Sequence, residues 1–287
     1  ESMLDSTWQG AHFLQDLPQA LDRGQFELWY QPKYHVKEQR IYGFEALLRW
    51  RHPKKGILLP EVFLSTLQNT GLIVSVGNWI VDQACQQLHK WSLSGHDDWT
   101  VSLNISPVQF EQQNFYERVC DALVRHHVSP TRLTIELAET TALHGFDRSV
   151  QIFNDFCRIG ITISIDNFGV GYSNMLALQD LPAGELKIDK SFMKDMRENS
   201  KHVRIVSTII NIAHSMNMDV VAEGIETQEQ QRILSGLGCD ALQGFWFSDP
   251  VPADDIEVML NNLPLTGDPN SPATLRRDIS SGKKRQA

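Results

Sequence analysis

Cysteine is scarce and unpaired: Cys85, Cys120, Cys157 and Cys239 are the only four among 287 residues, and none forms a C-x-x-C pair. That spacing excludes a zinc knuckle or a disulfide framework as the source of the fold and suits a reducing cytosol. Long apolar runs are missing too. No stretch approaches the ~18 uninterrupted apolar residues of a spanning helix, and "ESMLDSTWQG" lacks a basic-then-apolar signal pattern. The expectation is a cytoplasmic domain. Because the chain begins at Glu1 rather than Met, a longer parent with upstream regulatory domains is expected, and whether that parent is membrane-anchored is left open.

Positive charge is also in short supply. The net charge is −9, and Arg276, Arg277, Lys283, Lys284 and Arg285 sit in the last dozen residues, leaving 21 basic against 34 acidic residues elsewhere. A body so acidic offers no phosphate-tracking face, so no nucleic-acid polymer is expected as a partner, and an anionic ligand needs bridging metal cations. Two catalytic signatures are absent as well. Around Gly169 and Gly171 the sequence has neither the G-x-S-x-G of a serine hydrolase nor the G-x-G-x-x-G of a dinucleotide fold.

What is present is alternation. Short apolar runs begin at Phe26, Ile41, Thr100, Arg132, Gly160, Gly184, Met218 and Ala241, and amphipathic segments such as "GNWIVDQACQQLHKW" and "HVRIVSTIINIAHSMN" separate most of them. Eight strand–helix units in about 250 residues is the arithmetic of an α/β, (β/α)8 TIM-like barrel. Residues 1–11 read as a linker from an upstream domain and 12–263 as the barrel. Residues 264–287, rich in Pro, Gly, Ser and charge, read as a disordered basic tail that cannot repay its ordering entropy.

In such a barrel the chemistry sits where the strands end. The strand ends here carry Glu45, Asn104, Glu136 with Glu139, Asp166 with Asn167, Lys187 with Asp189, Glu223 with Glu226, and Gln243. Singly, each has an ordinary structural explanation, such as capping or pairing with an arginine. Together, four or five carboxylates facing one opening repel one another unless cations neutralise them, and an all-oxygen set suits Mg2+ or Mn2+. Two chemistries fit at this level: metal-assisted phosphodiester hydrolysis, and proton abstraction beside a carboxylate with a lysine base. His126 and His127, near a helix end, read as solvated or capping residues.

"FEALLRW", spanning Glu45, Leu47 and Arg49, resembles the signature of the EAL family of bacterial cyclic di-GMP phosphodiesterases. The likeness runs over about residues 12 to 260 through "YQP", "LNIS", "ELAET", "DNFGVGYS", "LKIDKSF", "AEGIET" and "QGFWFSDP", in that order. The resemblance implies a barrel of EAL type that hydrolyses cyclic di-GMP to linear pGpG with two Mg2+ or Mn2+ ions, commonly as a homodimer. By matched position, Glu45, Asn104, Glu136 and Asp166 are expected to ligate the first metal. Asp166, Asn167 and Glu223 are expected at the second, Lys187 at the hydrolytic water, and Glu139 as the anchor of the loop after Asp166. Gln31, Leu47, Arg49, Asp189, Glu226 and Gln243 are expected to line or support the nucleotide.

One matched position departs from the pattern. The family usually has two adjacent aspartates where this chain has Asp166 and Asn167. Asparagine keeps an oxygen but is neutral, so the second metal site is expected to bind its cation more weakly. Two readings follow: an active phosphodiesterase with a higher metal demand, or a degenerate module that binds cyclic di-GMP as a sensor. Retention of Glu45, Glu139, Lys187 and Glu223 favours the enzyme, since a pure sensor has no chemical need of a water-contacting lysine.

Overall fold

The computed structural model describes residues 16–170, 175–194, 196–197 and 200–263. The expected linker and tail lie outside the described residues, as do residues 171–174 of the loop after Asp166. Ten strands make one sheet: β1 (Phe26–His35), β2 (Arg40–His52), β3 (Gly56–Leu58), β4 (Thr100–Asn104), β5 (Leu133–Ala138), β6 (Thr162–Phe168), β7 (Glu185–Ile188), β8 (Asp219–Ala222), β9 (Ala241–Gln243) and β10 (Val251–Pro252). β1 pairs with both β9 and β2, so eight strands close into a barrel, with β3 and β10 appended.

The expected barrel is present with one change of direction. Strands β2 and β4 to β9 run parallel, whereas β1 is antiparallel to both of its barrel neighbours. Only four residues separate β1 from β2. A link that short permits a hairpin and not a helical crossover, which is why the first unit lacks its helix.

Strand alternation sorts the residues into two faces. Ile163 and Ile165 of β6, Leu133, Ile135 and Leu137 of β5, and Val101 and Leu103 of β4 are buried outward. There they pack beneath helices such as Leu72–Leu93, which buries Ile73, Val76, Val81, Ala84, Leu88 and Trp91 at helical spacing. The inward positions are polar: Gln31 and Lys33 on β1, Glu45 on β2, Ser102 on β4, Glu136 on β5, Ser164 and Asp166 on β6, Glu185 and Lys187 on β7, and Gln243 on β9, all buried. Barrel interiors are ordinarily packed with branched apolar side chains. Here the apolar core is the layer between strands and helices, and the barrel axis carries buried charge.

Candidate active site

Lys187 stands at the centre of the mouth, fully buried. Its Nζ lies 2.6 Å from Glu136 Oε2, 2.7 Å from Glu223 Oε1, 3.3 Å from Glu45 Oε2 and 3.8 Å from Asp166 Oδ1. These four acids come from four different strand ends, so local sequence alone could not have paired them. Glu45 is further fixed by Asn104, whose Nδ2 donates to Oε1, and by Gln243, whose Nε2 donates to Oε2 at 2.6 Å. The same Gln243 nitrogen donates to Gln31 Oε1 at 2.9 Å, and Gln31 Nε2 donates to the Ser248 carbonyl at 3.2 Å.

One ammonium cannot satisfy four carboxylates, and the titration behaviour shows the imbalance. Burial disfavours the charge on Lys187, yet Glu136, Glu223, Glu45 and Asp166 together hold its pKa well above the ordinary lysine value. Burial pushes Glu136 up to about 8 and Glu223 up to about 7, in each case against the pull of Lys187. Glu45 goes the other way. Burial opposes its ionisation, but Lys187 and the amides of Gln243 and Asn104 outweigh it and hold the carboxyl below its ordinary value.

Among the described residues no three acidic, histidine or cysteine side chains form a ready metal cage, because these carboxylates gather on the Lys187 ammonium instead. The donor set nevertheless fits hard divalent cations. It is rich in oxygen and carries an excess of negative charge, and Glu136 Oε1 is buried with no hydrogen-bond partner. A buried carboxyl oxygen without a partner is disfavoured, and a bound cation would satisfy it.

Asp166 and Asn167 form a local unit. The pairing of β6 with β7 shifts register between Ile165 and Phe168, and Asn167 takes a left-handed φ of 56°, a conformation that asparagine tolerates better than most residues. The Asn167 backbone N–H donates to Asp166 Oδ1 and its side-chain amide to Oδ2, both at 2.8 Å. Glu139 is buried and accepts a long 3.4 Å contact from the Gly169 N–H at the start of the loop after β6.

Beside the carboxylates opens a pocket of ≈ 730 Å³ whose lining includes Gln31, Glu45, Leu47, Asp189, Glu223, Glu226 and Gln243. Of the residues expected to line or support the nucleotide, Arg49 is absent from that lining. It is 7% exposed, packs over the Trp29 ring and donates to the Leu48 carbonyl, and its Nε lacks a partner. The rim is tied down by Gln230, whose Oε1 accepts from the Glu226 and Thr227 N–H groups while its Nε2 donates to the Met193 carbonyl at 2.9 Å. Gly244 closes the far side, where any Cβ would fall 2.2 Å from the Ile225 nitrogen. Outside this region, His126 Nε2 lies 3.0 Å from Asp82 Oδ1, as befits a helix-end histidine with a structural partner.

Sequence reasoning passed over Lys33, Glu185 and Ser102, which make a second buried polar group deeper in the barrel. The signal was there: Lys33 follows Gln31 by two residues in β1 and therefore shares its inward face.

A barrel with four acids drawn from separate strand ends around one lysine, opening on a polar-rimmed pocket, defines a hydrolase-like architecture with an acidic centre. Comparison with known proteins narrows this. The EAL domain family matches residues 14–250, and the chain belongs to that family. It is 42% identical over 255 residues to the bifunctional diguanylate cyclase/cyclic di-GMP phosphodiesterase MucR of Pseudomonas aeruginosa, covering 89% of this chain and 37% of that protein. The cyclic di-GMP phosphodiesterase NbdA of the same organism is 32% identical over 86% of this chain and 31% of its own length. The solved PaMucR phosphodiesterase in complex with c-di-GMP superposes with a TM-score of 0.82 at 43% identity, over 85% of this chain and 99% of that one. The chain thus spans about a third of the length of these curated relatives.

Proposed function

We propose that this chain is a cyclic-guanylate-specific phosphodiesterase that uses Mg2+ or Mn2+ to hydrolyse cyclic di-GMP to linear pGpG. The observation that carries the reading is the buried group of four carboxylates around Lys187, with Glu136 Oε1 unpartnered, at the edge of a pocket large enough for a nucleotide. Glu45, Asn104, Glu136 and Asp166 would hold one cation and Asp166, Asn167 and Glu223 a second. Bound there, the metals supply an activated water and charge neutralisation at phosphorus.

The chain's own residues do the rest. Lys187 is held as an ammonium, which suits it to orient the attacking water and to stabilise the oxygen leaving phosphorus. The same state makes it a poor base, which weighs against the proton-abstraction chemistry that the sequence left open. Gln243 and Asn104 fix the rotamer of Glu45 by holding both its oxygens. Gln31, Leu47, Asp189 and Glu226 face the pocket and would orient the nucleotide, and Arg49, two residues beyond Leu47 on β2, would support its binding. Glu139 acts through the Gly169 N–H on the loop after β6.

One observation favours the sensor reading. Both Asp166 oxygens already accept hydrogen bonds from Asn167, which competes with a bridging role for that carboxylate. The enzyme reading is preferred because Lys187 and all four acids are in place. Chromatography of cyclic di-GMP after incubation with the chain and Mn2+ decides between them. Appearance of pGpG is expected, whereas retained, intact cyclic di-GMP at saturating metal makes the chain a sensor. In the parent protein we further expect a homodimer, upstream regulatory domains and a cytoplasmic position for this domain. No helix among the described residues is long and apolar enough to cross a membrane.

A further inference from the structure

Beneath the carboxylate group, Lys33 occupies the barrel axis and is 1% exposed. An ammonium has three donors, and Nζ directs its close contacts to one carboxylate and one hydroxyl. Nζ donates to Glu185 Oε1 at 2.9 Å, to Glu185 Oε2 at 3.0 Å and to Ser102 Oγ at 3.0 Å. Burial disfavours its charge, but Glu185, with smaller help from Tyr42 and Glu136, more than offsets that and keeps the group an ammonium. Tyr42 braces the acid from the other side, its hydroxyl 3.4 Å from Glu185 Oε2.

Glu136 Oε1 lies 3.9 Å from Lys33 Nζ, within ion-pair range but too far for a hydrogen bond. That oxygen is buried without a hydrogen-bond partner, as are Ser164 Oγ and Gln243 Oε1 among the described residues. So a lysine stands next to an unsatisfied carboxylate oxygen and does not bond it. A lysine not held by another acid would close a gap of this size by a small rotation of its flexible stem.

We propose that Glu185 is a positioning residue for the metal site: by holding Lys33 Nζ with both carboxylate oxygens it keeps that ammonium off Glu136 Oε1 and reserves the oxygen for a cation. This rests on the metal-dependent reading of the site and adds to it a residue outside the ligand set. Removing the restraint has a definite sign. In Glu185→Gln the side chain keeps its shape but loses its charge and one strong acceptor. Lys33 then carries uncompensated positive charge and a free proton beside Glu136, and both effects oppose a divalent cation. Adding Lys33→Met removes the intruding ammonium, so the double variant regains affinity that the single variant loses.

The test is calorimetric titration of Mn2+ into the parent chain, Glu185→Gln and Lys33→Met/Glu185→Gln, with thermal melts of each in chelator and a crystal structure of the metal-free single variant. We expect Glu185→Gln to bind Mn2+ at least tenfold more weakly. The double variant should return to within about threefold of the parent while melting at a lower temperature than the parent. Lys33 Nζ should move within 3.2 Å of Glu136 Oε1 in the single-variant structure, taking the upper end of ordinary hydrogen-bond distances. A purely structural ion pair predicts instead that the double variant binds no better than the single. That result, unchanged Mn2+ affinity in Glu185→Gln, or Lys33 remaining out of bonding range overturns the assignment. A parent chain that binds no Mn2+ refutes the metal-dependent reading itself, and the position of Lys33 in the variant structure then decides the restraint separately.

Discussion

Asn167→Asp changes one atom type and tests both the fold and the chemistry. In the metal-free protein it removes the 2.8 Å bond from the Asn167 amide to Asp166 Oδ2 and puts a like charge in its place. A hydrogen bond to a charged group contributes about 1.5–3 kcal/mol. Two carboxylates about 4 Å apart repel by about 4 kcal/mol at an effective dielectric of 20, an upper bound that solvent around the exposed residue 167 reduces strongly. A net loss of about 1–2 kcal/mol is therefore expected, which lowers the melting temperature in chelator by roughly 2–8 °C for a domain of this size. The backbone N–H bond to Oδ1 survives, and aspartate accepts the left-handed φ. A divalent cation reverses the sign, because it turns the repelling pair into two ligands. At about 1.4 kcal/mol per factor of ten, the Mn2+ concentration giving half-maximal hydrolysis of cyclic di-GMP should fall about tenfold. The assays are melts with and without Mn2+ and a metal titration of pGpG formation for both versions. A half-saturating concentration that stays the same or rises in the aspartate variant refutes the reasoning, and a higher melting temperature in chelator refutes the structural half of it.

Glu45→Ala should abolish pGpG formation, since it removes a carboxylate that on the proposed reading holds a metal and strands the Asn104 and Gln243 amides that now donate to it. Lys187→Ala should lower turnover by orders of magnitude while cyclic di-GMP binding, followed by calorimetry in Ca2+, changes less than tenfold; equal loss of both would merge the two roles. Glu139→Ala, which removes the acceptor of the Gly169 N–H, should raise the metal concentration needed for activity, and an unchanged metal profile removes it from the mechanism. In chelator the melting temperature should fall as pH rises from 5 to 8. Glu136 and Glu223 hold protons to about 8 and about 7 in the folded chain, whereas unfolded glutamates lose theirs near pH 4.3, so the folded state binds more protons throughout that window. A melting temperature that climbs with pH there contradicts the raised values.

The eight barrel strands were legible from period-two apolar runs because each has an apolar outer face that must meet a helix. β3 and β10 were not, being three and two residues long, too short to show a period. The reversal of β1 was hidden for a different reason. Alternation reports which side chains share a face and is silent on strand direction, so only the short link to β2 carried the clue. Glu45, Glu136, Asp166, Lys187 and Glu223 were found as polar residues ending apolar strands. Lys33 and Glu185 escaped because they lie mid-barrel or at a strand's start, where a charge reads as an interruption and its partner is 152 residues away. That Asn167 bonds its own neighbour was also invisible, since it depends on a register shift that the residue types do not announce.

The reversed β1 also decides where tethers attach. Its first residue, Phe26, pairs with Trp50 near the far end of β2, so the chain enters at the acidic opening and not at the opposite floor. Asp16 already reaches His52 there, at 3.2 Å. β10 lies against Trp29 and Tyr30 on the same half of β1, which brings the outgoing chain to that end as well. The segments flanking β1 and β10 therefore both leave from the end of the barrel that carries the carboxylates. A rigid neighbour held at that end would stand closer to the pocket rim than one held at the opposite floor.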